Sequence, residues 1–257
     1  MTPTTRYGTA SWLAIIFAIA TSLLVSASES NASTLGPINP SRSGAIQASG
    51  LRTGSEGTNF FSAANKNNGA FSSYGLLDFS NPSLGIIVAS FTSITLTLFD
   101  APAPFSAAAS LGFYFVTDST TDYSNFTFVS DSNTPDNLAG VDTSQYAGGT
   151  QFIYLGSGTY TPGSAGTAIP YVFNPDATAS SAITSAVNSG SSLRFLITPD
   201  NASVATEAAR YTGFANPTPP ELTGEYTAVP EPTTLVLIGF SVGGLVLVRR
   251  RRASITA

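Results

Sequence analysis

The 257-residue chain contains no cysteine and no histidine. Disulfide staples, thiolate nucleophiles, imidazole bases and the usual zinc or copper ligand sets are thereby excluded. Charge is scarce too: Asp, Glu, Lys and Arg make up 10% of the residues, where about a quarter is usual for a globular protein. Two uncharged ends account for part of the deficit. Between Ser28 and Val229 stand five basic residues, Arg42, Arg52, Lys66, Arg194 and Arg210, against fourteen acidic ones, a net charge of 5 − 14 = −9. Such a surface repels nucleic acid, and it repels anionic polysaccharide unless divalent cations bridge the two. It suits neutral glycans or calcium-dependent contact.

What is present begins with Arg6, followed by an apolar run from Trp12 to Val25 that only Thr21 and Ser22 interrupt. Val25-Ser26-Ala27 places small residues at the two positions a signal peptidase reads. This is the tripartite layout of a secretory signal peptide over residues 1–27, cut after Ala27. The apolar stretch is too short for a confident membrane span.

At the other end, Val229-Pro230-Glu231-Pro232 precedes sixteen uncharged residues, Thr233 to Val248, and then Arg249, Arg250, Arg251 and Arg252. Sixteen helical residues rise about 24 Å, a little short of a hydrocarbon core of roughly 30 Å, so arginine snorkelling or local thinning covers the deficit. The arginines favour the cytoplasm, which puts everything before Val229 outside. Pro232 fits only the first helical turn and holds Glu231 extended, so the motif reads as an exposed peptide at the outer interface. Pro230-Glu231-Pro232, the glycine-containing helix with Gly239, Gly243 and Gly244, and the arginine cluster together resemble the PEP-CTERM sorting signal of Gram-negative bacteria. The resemblance covers about the last 25 residues. It implies recognition and removal by exosortase, a multi-spanning membrane enzyme, and an association with extracellular polysaccharide and biofilm matrix.

The intervening chain divides into a polar leader (28–58) with a possible edge strand at Ala45–Leu51, a domain (59–214), a Pro-rich stalk (215–228) and the sorting tail (229–253), with residues 254–257 left in the cytoplasm. Within the domain, short β-rich runs alternate with turn residues: 74–79, 86–91, 94–99, 111–117, 126–129, 151–155, 169–173 and 193–198. In Ile94-Thr95-Leu96-Thr97-Leu98 apolar and polar residues alternate strictly, the mark of a strand with one wet face. Ala182, Ile183, Ala186 and Val187 follow helical spacing, and Asn188-Ser189-Gly190 stops it, which predicts one short helix over 177–188. The expected fold is all-β: an antiparallel two-sheet sandwich or jelly roll with that helix.

Without histidine or cysteine, an enzyme of this composition would work through two carboxylates, as glycosidases do, with Asp78, Asp118 and Asp122 as candidates. Acidic loop residues occur in every such domain, and no catalytic signature accompanies these, so no catalytic residue is assigned and a non-enzymatic role is favoured. Asp131, Asn133, Asp136 and Asp142 offer oxygen ligands for calcium, but Pro135 and Asp136 break the EF-hand pattern, and an Asx-rich turn explains them better. No metal ligand is assigned. Tyr123, Tyr146, Tyr154 and Tyr160 are candidates to line a glycan site. The expected partners are signal peptidase, exosortase, the inner membrane in passing and extracellular polysaccharide. The expected role is structural or adhesive; a glycoside hydrolase or carbohydrate-binding module is the alternative.

Overall fold

The computed structural model describes residues 32–47, 50–52, 54–66, 73–123, 151–199 and 206–229. These are mostly β-strand, arranged in several antiparallel sheets with little helix. The strands are β1 (Ala32–Ile38), β2 (Pro40–Gln47), β3 (Gly50–Leu51), β4 (Phe60–Lys66), β5 (Tyr74–Phe79), β6 (Val88–Phe99), β7 (Ala109–Val116), β8 (Phe152–Tyr160), β9 (Ala168–Phe173), β10 (Leu193–Pro199), β11 (Thr206–Thr212) and β12 (Glu221–Ala228), with a helix α1 at Ala177–Ser189. One sheet has the order β1-β12-β6-β9, a second β3-β2-β5-β10-β7-β8, and β11 pairs with β4 as a ribbon. The two larger sheets and the ribbon share one apolar core, in which Ile94, Leu96 and Leu222 meet Leu77, Phe113, Phe195 and Phe61.

The alternation in β6 does what its sequence requires: Ile94, Leu96 and Leu98 are fully buried. The separate runs expected at 86–91 and 94–99 are instead one strand. Two bulges against β12, where Thr92 and Ala89 have no partner opposite them, shift the phase so that Val88, Phe91 and Ile94 all turn inward. That irregularity hid the continuity from a period-two reading. Ile86 and Ile87 fall outside the strand and are exposed.

The six-stranded sheet is covered on both faces at its centre. Its strand β5 is buried at all six positions. Leu77 and Phe79 face the main core, while Tyr74 and Leu76 join Ile46, Tyr114, Val116, Tyr123 and Leu196 in a second apolar cluster on the opposite face.

The expected leader and stalk are both corrected, for the compact unit runs from Ala32 to Ala228. β1 and β2 are built from Ser, Gly and Pro, residues of poor strand propensity, and packing overrides that preference. Leu35, Ala45 and Ile46 are buried, and the bare Gly44 leaves room for the Tyr123 ring, which an added Cβ would meet at 2.6 Å. In β12, Leu222, Gly224 and Tyr226 point inward at period two. The proline run before it is fixed as well, since Thr212 Oγ1 donates to the Thr218 carbonyl at 2.6 Å.

Helix α1 covers β6 where β9 does not reach. Asp176 caps it by accepting from Ala179 N at 2.7 Å, and Gly190 ends it with φ +80°. Ser180 Oγ both accepts from Phe91 N and donates to Phe91 O, and the Asn188 amide does the same for Val88. Two side chains thus stand in for a neighbouring strand. The 1–27 and 233–248 segments lie outside the described residues, and no described helix is long and apolar enough to cross a membrane.

Because Leu222 is a core residue, Leu222→Ala is expected to cost about 2–5 kcal/mol of unfolding free energy by urea titration. A substitution in a free stalk would leave the midpoint unchanged.

Candidate functional site

Strand register sets one of the candidate carboxylates between two arginines. β2 and β10 flank β5, so Arg42 and Arg194 lie directly across from Asp78 on either side. Arg194, 1% exposed, grips Asp78 bidentately with Nε and NH2 at 2.7 and 2.9 Å. Its remaining donors go to the carbonyls of Asp118 (3.2 Å), Thr121 (3.0 Å) and Ser119 (3.2 Å). All five guanidinium N–H groups are therefore used. They lock the loop that follows β7 onto the outer face of the sheet. Asp118 accepts from the amides and hydroxyls of Thr120 and Thr121, and the more exposed Asp122 pairs with Arg42 at 3.0 Å. The Tyr123 ring lies 4.1 Å from the Arg42 guanidinium carbon and 5.0 Å from that of Arg194.

The three candidate carboxylates thus gather in one corner, each already engaged, and Asp78 and Asp118 are buried. A glycosidase needs one carboxylic acid to give a proton and a second carboxylate open to the sugar. In this corner the two buried carboxylates are held by hydrogen bonds and an ion pair that act as a clamp, while the Asp122 side chain, paired with Arg42, remains about half exposed.

Two of the candidate glycan-lining tyrosines are core residues. Tyr123 and Tyr160 are fully enclosed, Tyr154 is 43% exposed on β8, and Tyr146 lies outside the described residues. Burial pushes the Tyr123 hydroxyl well above its ordinary value, and the Asp78 carboxylate adds to this. Tyr160 donates to Asp100 at 2.7 Å and is raised by burial and by that bond. Tyr171 and Tyr211 share a 2.6 Å bond; burial pushes Tyr171 up to about 12 and raises Tyr211 well above its ordinary value. The hydroxyls of Tyr160, Tyr171 and Tyr211 keep their protons at neutral pH and tie together β8, β9, β11 and the chain that follows β6.

An opening not anticipated from sequence lies at the end of β6. A groove of about 370 Å³ is lined by Phe60, Asp100, Arg210, Thr212, Asn216 and Thr218, among others. The Arg210 guanidinium sits 3.9 Å over the Phe60 ring, holds Glu56 Oε1 with Nε and NH2 (3.2 and 2.7 Å), and donates to the Ala101 carbonyl at 2.8 Å. The lining joins apolar surface to neutralised charge and hydrogen-bonding groups. The sequence signal was the rarity of basic residues: all four arginines between Ser28 and Val229 face a carboxylate.

The calcium candidates Asp131, Asn133, Asp136 and Asp142, the cleavage positions Val25 and Ala27, Pro230, Glu231 and Pro232, and Arg249 to Arg252 lie outside the described residues. Among the described residues no group of three or more acidic side chains is placed to hold a metal.

β12 ends at Ala228, and there the comparison with known proteins takes over. Residues 228–252 match the PEP-CTERM protein-sorting motif. The PEP-CTERM motif indicates exosortase-dependent export to the cell surface. No curated protein matches the chain. The PEP-CTERM match therefore begins at the last strand residue, with no spacer between fold and motif.

Arg194→Met strands the Asp78 carboxylate in a buried site and is expected to cost about 3–5 kcal/mol. Asp122→Asn removes an exposed pair and should cost at most about 1 kcal/mol. Urea midpoints of the two variants against the parent check the contrast; similar losses would contradict the clamp.

Proposed function

We propose that this is a surface-displayed structural or adhesive protein that contacts neutral extracellular polysaccharide in a biofilm matrix. In this reading residues 1–27 direct secretion. The 233–248 span then holds the chain in the inner membrane, Arg249 to Arg252 keep its end in the cytoplasm, and Pro230-Glu231-Pro232 is presented outside to exosortase. The domain, a two-sheet sandwich with an added ribbon, is the cargo.

The observation that carries the reading is polarity along the fold. The chain leaves β12 beside Val88, at the start of β6, while the Phe60–Arg210 groove lies beyond Phe99 at its other end. Twelve residues of strand separate the two by roughly 36 Å. In this reading the groove meets extracellular material while the tail is held. The net charge of −9 favours a neutral glycan over an acidic one. Engagement of Asp78, Asp118 and Asp122 by arginine and threonine partners weighs against the carboxylate glycosidase alternative.

Two experiments test this. In cells with exosortase, Glu231→Ala together with Pro232→Ala leaves export intact and traps full-length chain in the inner membrane; processing equal to the parent would remove the sorting role. On a glycan array, the Ser28–Val229 fragment binds neutral polysaccharide, Phe60→Ala loses about tenfold or more, and Tyr154→Ala does not change. Release of reducing ends by the same fragment would favour the glycosidase.

A further inference from the structure

Three of the six exposed large apolar side chains among the described residues belong to the end where the chain leaves the domain: Ile86 (40% exposed), Ile87 (64%) and Val229 (42%). Single exposed apolar residues are ordinary, but consecutive isoleucines on an anchored loop are not explained that way. Asn81 fixes the loop by donating to the carbonyls of Ala186, Val187 and Ser191 at 3.3, 2.9 and 3.0 Å, and Leu84 packs on the core behind it. Gly85, at φ +67°, turns the chain so that Ile86 and Ile87 come last before β6.

Charge is sparse at this end: residues 80–89, 186–192, 228–229 and 32–33 contain no ionisable side chain, and the exposed Glu225 stands further along β12, opposite Thr34. The register places them together: Val88 faces Ala228, Thr227 faces Ala32, and Asn188 bonds to Val88. In a chain with a net −9 body, an uncharged apolar tip suits an apolar surface more than an aqueous one.

The tether identifies that surface. Four residues, Val229 to Pro232, separate the last strand residue from the first residue of the uncharged run. Fully extended they reach about 14 Å. The polar layer on each side of the hydrocarbon is roughly 5–7 Å thick. Even fully extended, this tether keeps the strand end within about 7–9 Å of the outer edge of the polar layer, so the end of the domain stays near the lipid surface.

We propose that Ile86 and Ile87 form a lipid-docking tip that seats the domain on the outer face of the inner membrane before the tail is cut, a proposal that rests on the membrane-anchored reading of the tail. The docking fixes the depth of Pro230-Glu231-Pro232, because the strand end and the helix start are then both set by the bilayer. The occupant is the lipid surface; a processing enzyme covering the same loop is the competing outcome.

The test uses the full chain in vesicles of phosphatidylethanolamine and phosphatidylglycerol carrying headgroup nitroxide. Absence of cysteine allows single labelling, at Ser83→Cys beside the tip and at Ser164→Cys in the exposed loop before β9. The label at 83 should be quenched and that at 164 should not. Ile86→Ser with Ile87→Ser should lower quenching at 83 about twofold or more, with the chain still floating with the vesicles. Equal quenching at 83 and 164 in co-floating chain would overturn the proposal. So would quenching at 83 that requires added exosortase. Chain that fails to co-float would overturn the anchored reading, and the docking tip with it.

Discussion

The insertion of β12 between β1 and β6 governs the rest of the structure. A strand from the end of the domain takes the place beside its longest strand, and the first described strand adds outside it. Leu222 and Tyr226 complete the core that β6 and β9 present to the six-stranded sheet. This pairing joins positions more than a hundred residues apart, so it pays a loop-closure cost that local contacts do not. The sheet lacks its central partner until the chain through Ala228 is available. The same pairing brings Ala32 and Ala228 to one end, which leaves the other end open for the groove.

A second constraint is the handling of a scarce charge. The sheet β3-β2-β5-β10-β7-β8 is apolar on both faces around Tyr74 and Leu76 and yet carries Asp78 and Arg194. Burying either alone would be costly; together, with loop carbonyls taking the remaining guanidinium donors, they convert the cost into a fixed loop position. Arg210 repeats the pattern at the groove by spanning Glu56, the Ala101 carbonyl and the Phe60 ring. Scarcity of charge and complete use of the arginines are two sides of one design.

The strands legible in sequence were those whose side chains alternate large apolar with polar, or run apolar throughout: Tyr74–Phe79, Ile94–Phe99, Leu193–Thr198 and their neighbours. The helix was legible from its spacing and its Asn188-Ser189-Gly190 stop. Less legible were strands that mix small inward residues with large ones. β2, of which only the end was anticipated as a possible edge strand at Ala45–Leu51, buries Ser43 and Ala45, and β4 and β11 pair Ala63 with Ala209 beside Phe61 and Tyr211; their fit depends on close approach of other chain segments, which no local pattern records. β12 was obscured by the prolines before it. The candidate carboxylates carry no local sign of their partners, and it is the strand register that sets Arg42 and Arg194 on either side of Asp78. The Phe60–Arg210 groove joins residues 150 apart and left no local trace beyond the rarity of arginine.

The sorting tail was legible because its parts are consecutive, and the structure changes its setting. A stalk would add reach between the last strand and the motif; β12, which ends at Ala228 where the motif match begins, adds none. Hydrogen–deuterium exchange on the full chain tests this most directly. The account predicts that amides of Leu222 to Thr227 exchange as slowly as those of Ile94 to Leu98, since the two strands open together. Exchange of the 222–227 amides at the rate of an unstructured peptide, with β6 still protected, would contradict it.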